Sequence, residues 1–155
     1  MTTKKPVMVT AAVLKEGGKI LIAQRKISGS LGGYWEFPGG KLEQGEDPRG
    51  CLSRELKEEF NIEASIGEWI ISNIHAYDHI TVELHSYWAE HSSGHFELND
   101  HDAIAWIFPE ELTDYIMAPA DLPTVEKILE ICSQVTTHQS ISESSSFTRL
   151  KRPGR

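Results

Sequence analysis

Seven acidic residues crowd positions 43–63: Glu43, Glu46, Asp47, Glu55, Glu58, Glu59 and Glu63. Three of them follow an arginine in the run Arg54-Glu55-Leu56-Lys57-Glu58-Glu59. The stretch before them, Phe37-Pro38-Gly39-Gly40-Lys41, reads as a glycine turn ending in a cation. On a helix, Glu55, Glu58 and Glu59 stand at i, i+3 and i+4 and share one face. Leu52, Leu56 and Phe60 form a neighbouring apolar stripe that must face a core. The glutamates therefore sit at the margin of that core, where their mutual repulsion is poorly screened. Arg54 and Lys57 are the nearby cations in sequence. A divalent ion would resolve the conflict. Hard oxygen ligands without an adjacent cysteine or histidine favour Mg²⁺ or Mn²⁺ over zinc.

The element that carries these residues is marked at both ends. Asp47-Pro48 predicts a helix start, with Asp47 at the N-cap and Pro48 at the first helical position. The helix runs to about Phe60, and Asn61 is its stop, since asparagine tolerates the left-handed conformation there. A plain solvated acidic face would leave the glycine turn, the capped start and the arginine unexplained.

The spacing resembles that of a known family. From Gly40 the chain reads Gly, five residues, Glu46, seven residues, then Arg54-Glu55-Leu56-x-Glu58-Glu59-x-Asn61-Ile62. This is similar to the Nudix box, G-x5-E-x7-R-E-U-x-E-E-x-G-U with U aliphatic, and departs from it only at Asn61. The resemblance extends over roughly residues 7–131 and is nearest to the MutT-like branch. Trp35-Glu36-Phe37-Pro38-Gly39-Gly40-Lys41 precedes the box, and Ala118-Pro119-Ala120-Asp121 comes near the end.

The resemblance implies hydrolysis of a nucleoside diphosphate linked to another moiety. In the MutT-like branch the products are a nucleoside monophosphate and pyrophosphate. It implies Glu55, Glu58 and Glu59 as metal ligands, with the carbonyl of Gly39 as a backbone ligand. Glu46 matches the outer glutamate, Arg54 the arginine that orients the carboxylates, and Lys41 a phosphate neutraliser. The branch carries a further acid six residues before a tryptophan. Counting back from Trp106 gives Asp100, with Asp102 as its rival. Which carboxylate is the general base stays open. Phe37 and Arg25 match base-pocket and sugar-pocket positions. Asp121 matches a base-reading position, and an ionised aspartate there only accepts hydrogen bonds. Its alternative role is to cap the helix beginning near Leu122-Pro123.

The 155 residues form one domain with an ordinary composition, 39% hydrophobic and 25% charged. The net charge of −8 argues against a general nucleic-acid surface. Cys51 and Cys132 are too few for a disulfide framework and suit a cytoplasmic setting. No segment has transmembrane length. The expected partner is a small nucleotide, with the protein a monomer or homodimer.

Strands are predicted at Val7–Leu14 and Lys19–Ala23, joined by a turn at Glu16-Gly17-Gly18. Further strands fall at Ile62–Ile74, Ile80–Ala89 and Ala103–Phe108. Ser28–Gly33 and Gly94–Asp100 are loops. A short helix starts at Pro109, and a last helix spans Pro123 to about Val135, with Val125, Ile128, Leu129 and Cys132 as its core stripe. The fold class is α/β: an α/β/α sandwich around a central mixed sheet. Residues 1–135 form the domain. Residues 136–155 read as a disordered tail, Ser-rich and ending in four cations, Arg149, Lys151, Arg152 and Arg155. The seven histidines read as surface or satisfied residues. Trp35 is open to either core packing or base stacking.

Two substrate readings follow for a MutT-like enzyme: an oxidised purine triphosphate or a cytidine-type triphosphate. A dinucleotide or nucleotide sugar is the second class. A binding module that has lost its chemistry should lack box glutamates, and none is missing.

Overall fold

A computed structural model describes residues 5–146, without the side chains of residues 135–146. The chain forms an α/β/α sandwich. Seven strands make a mixed sheet: β1 (Val7–Glu16), β2 (Lys19–Arg25), β3 (Trp35–Glu36), β4 (Gly39–Lys41), β5 (Glu63–Ala76), β6 (Thr81–Ser93) and β7 (His101–Ile107). The path runs β3-β2-β1-β6-β5, with β4 added on β1 and β7 on β2. β1 and β6 are parallel, from Val7↔Val82 to Leu14↔Ala89, while the other pairings are antiparallel.

Strand β1 is buried on both faces, which is why it reads as a continuous apolar run rather than an alternating one. Ala11 and Val13 join one core with Ile20, Ile22, Leu84, Val125 and Ile128. Ala12 and Leu14 join the other with Leu21, Leu52, Leu56 and Phe60. Helix α1 (Pro48–Phe60) thus covers one face of the sheet, and α2 (Leu122–Ser146) covers the other.

The termini of α1 fall where local chemistry puts them. Asp47 accepts from the Gly50 N–H at 2.8 Å, and Pro48 opens the helix. Asn61 adopts φ 58°, ψ 36°, and its N–H closes on the Lys57 carbonyl at 3.0 Å.

Elsewhere the structure corrects the sequence reading. The stretch from Phe37 to Lys41, read as a glycine turn, contains the short strand β4, and β3 ends just before it. β4 lies so close to β1 that a Cβ at Gly39 would fall 1.9 Å from the Thr10 carbonyl oxygen, so only glycine fits. Helix α2 continues past Val135 to Ser146, because no glycine or proline follows Pro123 until Pro153. The basic end of the predicted tail, Arg149 to Arg155, lies outside the described residues. Trp35 packs against the core with its ring edge-on to Tyr115, 5.1 Å between centroids. Among the described residues, no helix is long and apolar enough to cross a membrane.

Candidate active site

Arg54 organises one side of the acidic cluster. Its Nε and Nη2 donate to the two Glu46 oxygens at 2.6 and 2.9 Å. Its Nη1 reaches Glu55 at 2.9 Å and Glu58 at 3.3 Å. These bonds to Arg54 hold the Glu46 carboxyl down at about 2. Burial pushes the Glu55 carboxyl upward, and Arg54 opposes it. The Glu55 carboxylate also lies against Gly40, where an added Cβ would come within 2.4 Å of it.

Glu59 leaves the helix on the other side of this fork and lines the cleft. Its Oε1 is buried and has no hydrogen-bond partner. Burial, then the charges of Glu55, Glu36 and Asp100, push its carboxyl up to about 9. Among the described residues, no three Asp, Glu, His or Cys side chains converge closely enough to cage a metal. The donor set nevertheless fits a hard divalent cation. An orphaned carboxylate oxygen surrounded by three like charges is the arrangement such an ion neutralises. Glu59, with Gly39 beside it on the cleft wall and Asp100 in the adjoining recess, would hold it, and Glu55 and Glu58 would join by turning from Arg54.

The cleft has a volume of about 480 Å³ and is lined by Gly39, Gly40 and Glu59 as well as by Phe37, Tyr77 and Asp121. Arg25 and Glu36 also line it, and their charges act on both Glu59 and Asp121. Arg25 Nη1 pairs with Glu36 Oε1 at 2.8 Å, and Arg25 Nε donates to the Ser30 carbonyl at 2.7 Å. Asp121 is 6% exposed, and its Oδ2 accepts the Phe37 N–H at 3.1 Å. That bond runs across the fold to the residue that follows β3. Burial, then the charge of Glu36, push the Asp121 carboxyl up to about 8, against the Phe37 N–H. A carboxyl raised this far populates its neutral form near neutral pH far more than an ordinary aspartate does, and only the neutral form can donate as well as accept.

Two further predicted residues have other surroundings. Lys41 is exposed and is not among the cleft-lining residues, and its carbonyl accepts from Arg54 Nη2 at 3.1 Å. Asp102, the rival to Asp100, is engaged with the Ile27 N–H at 3.1 Å.

Sequence reasoning missed four residues. Glu36 bridges Arg25 and His101, its second oxygen lying 2.9 Å from His101 Nε2. His101 is 5% exposed and stacked on Phe60, and its Nδ1 has no partner, so it is not a satisfied histidine. Asn73 and Tyr77 of the β5 end reach under Asp121, through Ala120. The signal available for Glu36 was its place between Trp35 and Phe37, pointing to the opposite face of an extended chain. Asn73, in β5, and Tyr77, just after it, left no signal.

Residues 9–127 match the model of the NUDIX domain. The chain is 39% identical over 127 residues to the CTP pyrophosphohydrolase of Escherichia coli K12, covering 82% of this chain and 94% of that protein. It is 44% identical over 66 residues to the 8-oxo-dGTP diphosphatase of Proteus vulgaris, covering 42% of this chain and 59% of that one. The solution structure of the E. coli ORF135 protein aligns with a TM-score of 0.74 at 37% identity, covering 84% and 93% of the two chains.

Proposed function

We propose, for a chain that belongs to the Nudix family and hydrolyses phosphoric anhydride bonds, that its substrate is a nucleoside triphosphate cleaved to the monophosphate and pyrophosphate. The observation that carries this is one cleft lined both by an orphaned, charge-crowded carboxylate, Glu59, and by the buried Asp121. A nucleotide has two matching parts: phosphates that need a cation bridge, and a base edge that needs a few hydrogen bonds in an apolar pocket.

Magnesium, when bound, would neutralise negative charge and lower the pKa of a water at the site. Glu59, Glu55, Glu58, Asp100 and the Gly39 carbonyl are the ligand candidates. Arg54 aligns Glu55 and Glu58, and Glu46 in turn fixes Arg54. Glu59 and Asp100 share the recess, and the proton of the water passes to one of them. Arg25, anchored by Glu36, orients the sugar, while Phe37 and Asp121 meet the base.

A cytidine-type triphosphate is the favoured substrate. A neutral Asp121 donates to the N3 or O2 acceptor of cytosine, and a relative matched at 39% identity over most of both chains is named for CTP. An oxidised purine triphosphate is the second reading, favoured by matches to relatives named for 8-oxo-dGTP, one of them also over most of both chains at 35% identity. The test is a panel of nucleoside triphosphates, dinucleotides and nucleotide sugars with Mg²⁺, scoring pyrophosphate against orthophosphate release. Pyrophosphate from CTP or dCTP is expected. Orthophosphate release, or turnover of nucleotide sugars alone, would refute the reading.

A further inference from the structure

Ala120 precedes Asp121 in the 3-10 turn Pro119–Asp121, and side chains of the β5 end take both of its backbone groups. Its N–H donates to Tyr77 Oη at 2.9 Å. Its carbonyl accepts from Asn73 Nδ2 at 3.1 Å. That carbonyl lies in the same rigid plane as the Asp121 nitrogen, so holding it fixes where the Asp121 Cα sits. The Asp121 N–H itself is tied to the Ala118 carbonyl at 2.9 Å.

Asn73 lies in β5 and Tyr77 is the first residue after it, where its N–H is held by the Ile80 carbonyl at 2.8 Å. Asn73 keeps its amide N–H on Ala120 although its own Oδ1 is buried without a partner. Leaving an acceptor unsatisfied is unfavourable, so the contact to Ala120 decides the orientation of this side chain. Neither residue touches the carboxylates of α1.

We propose that Asn73 and Tyr77 are positioning residues for base selection, gripping Ala120 from β5 and so setting Asp121 against the base. The proposal rests on the reading of Asp121 as a base contact. It assigns base discrimination to the end of β5 and the turn that follows it, which supply no ligand to the phosphate end.

The test is kcat and KM for CTP and 8-oxo-dGTP with Mg²⁺, for wild type, Asn73→Ala, Tyr77→Phe, Asp121→Ala and the Asn73→Ala/Asp121→Ala double variant. Asn73→Ala and Tyr77→Phe should each move the ratio of the two efficiencies by about three- to tenfold, in KM rather than kcat. In the Asp121→Ala background, Asn73→Ala should move that ratio no further. Thermal melts of every variant separate positioning from plain loss of fold. An unchanged ratio in Asn73→Ala while Asp121→Ala moves it would overturn the clamp and spare the base contact. So would an equal loss on both substrates with a lowered Tm, or a shift of the same size in the double variant. No movement of the ratio in Asp121→Ala would overturn the base contact itself, and the clamp with it.

Discussion

Glu59→Gln should make the metal-free protein more stable while abolishing its activity. The carboxyl of Glu59 has an ordinary value of 4.5 and is pushed up to about 9 by burial and by Glu55, Glu36 and Asp100. Below pH 4.5 both the folded and the unfolded chain hold this proton, and there is no penalty. As pH rises the unfolded chain releases it and the folded chain does not, so stability falls up to about pH 9. Glutamine has no proton to lose and escapes that slope. At about 1.4 kcal/mol per pH unit, the ceiling of the effect at pH 8 is about 5 kcal/mol. Water entry and movement of the side chain reduce this to about 1–3 kcal/mol. For a chain of this size that is a rise in Tm of about 3–10 °C. The assay is calorimetry with chelator at pH 5 and pH 8. The gain should be present at pH 8 and small at pH 5. Added Mg²⁺ should then raise the Tm of wild type more than that of the variant. Equal melting temperatures at pH 8, or the same gain at both pH values, would show that Glu59 is not a strained carboxylate awaiting a cation.

Glu58→Gln should lower turnover by about 10²–10⁴ with the fold retained, and exhaustive chelation should abolish wild-type activity until Mg²⁺ or Mn²⁺ is restored; a near-normal rate in either case refutes the metal assignment. Asp121→Asn should leave the ratio of CTP to 8-oxo-dGTP efficiencies near wild type at pH 6.5, because asparagine reproduces the neutral carboxyl. At pH 9 the wild-type aspartate is ionised and the ratio should diverge by about tenfold, whereas an equal change at both pH values contradicts the protonated state. Deleting residues 138–155 should leave activity and Tm largely unchanged, since the apolar stripe of α2 ends at Cys132; a large fall in either, by melt or steady-state assay, would reveal docking of that segment.

The sequence alone determined what is local. Asp47, Pro48 and Asn61 bound α1 because capping is decided within a few residues, and the i, i+3, i+4 spacing put three carboxylates on one helix before any tertiary contact was known. The layered fold was legible too, because β1 and β2 are apolar on both faces and the two helices each bring one stripe to cover them. Tertiary structure decided how these pieces divide their work. Glu55 and Glu58 turn to Arg54, while Glu59, one residue on, is left alone in the cleft. The stretch read as a glycine turn became β4 because β1 was there to pair with it. Glu36, His101, Asn73 and Tyr77 entered the site only through partners 11 to 65 residues away. The upward shift of the Asp121 carboxyl could not be read from its neighbours in the chain. It follows from the water that folding removes and from the charge of Glu36, with the hydrogen bond from the Phe37 N–H, 84 residues distant, pulling the other way, and desolvation is a property of the assembled interior rather than of any segment.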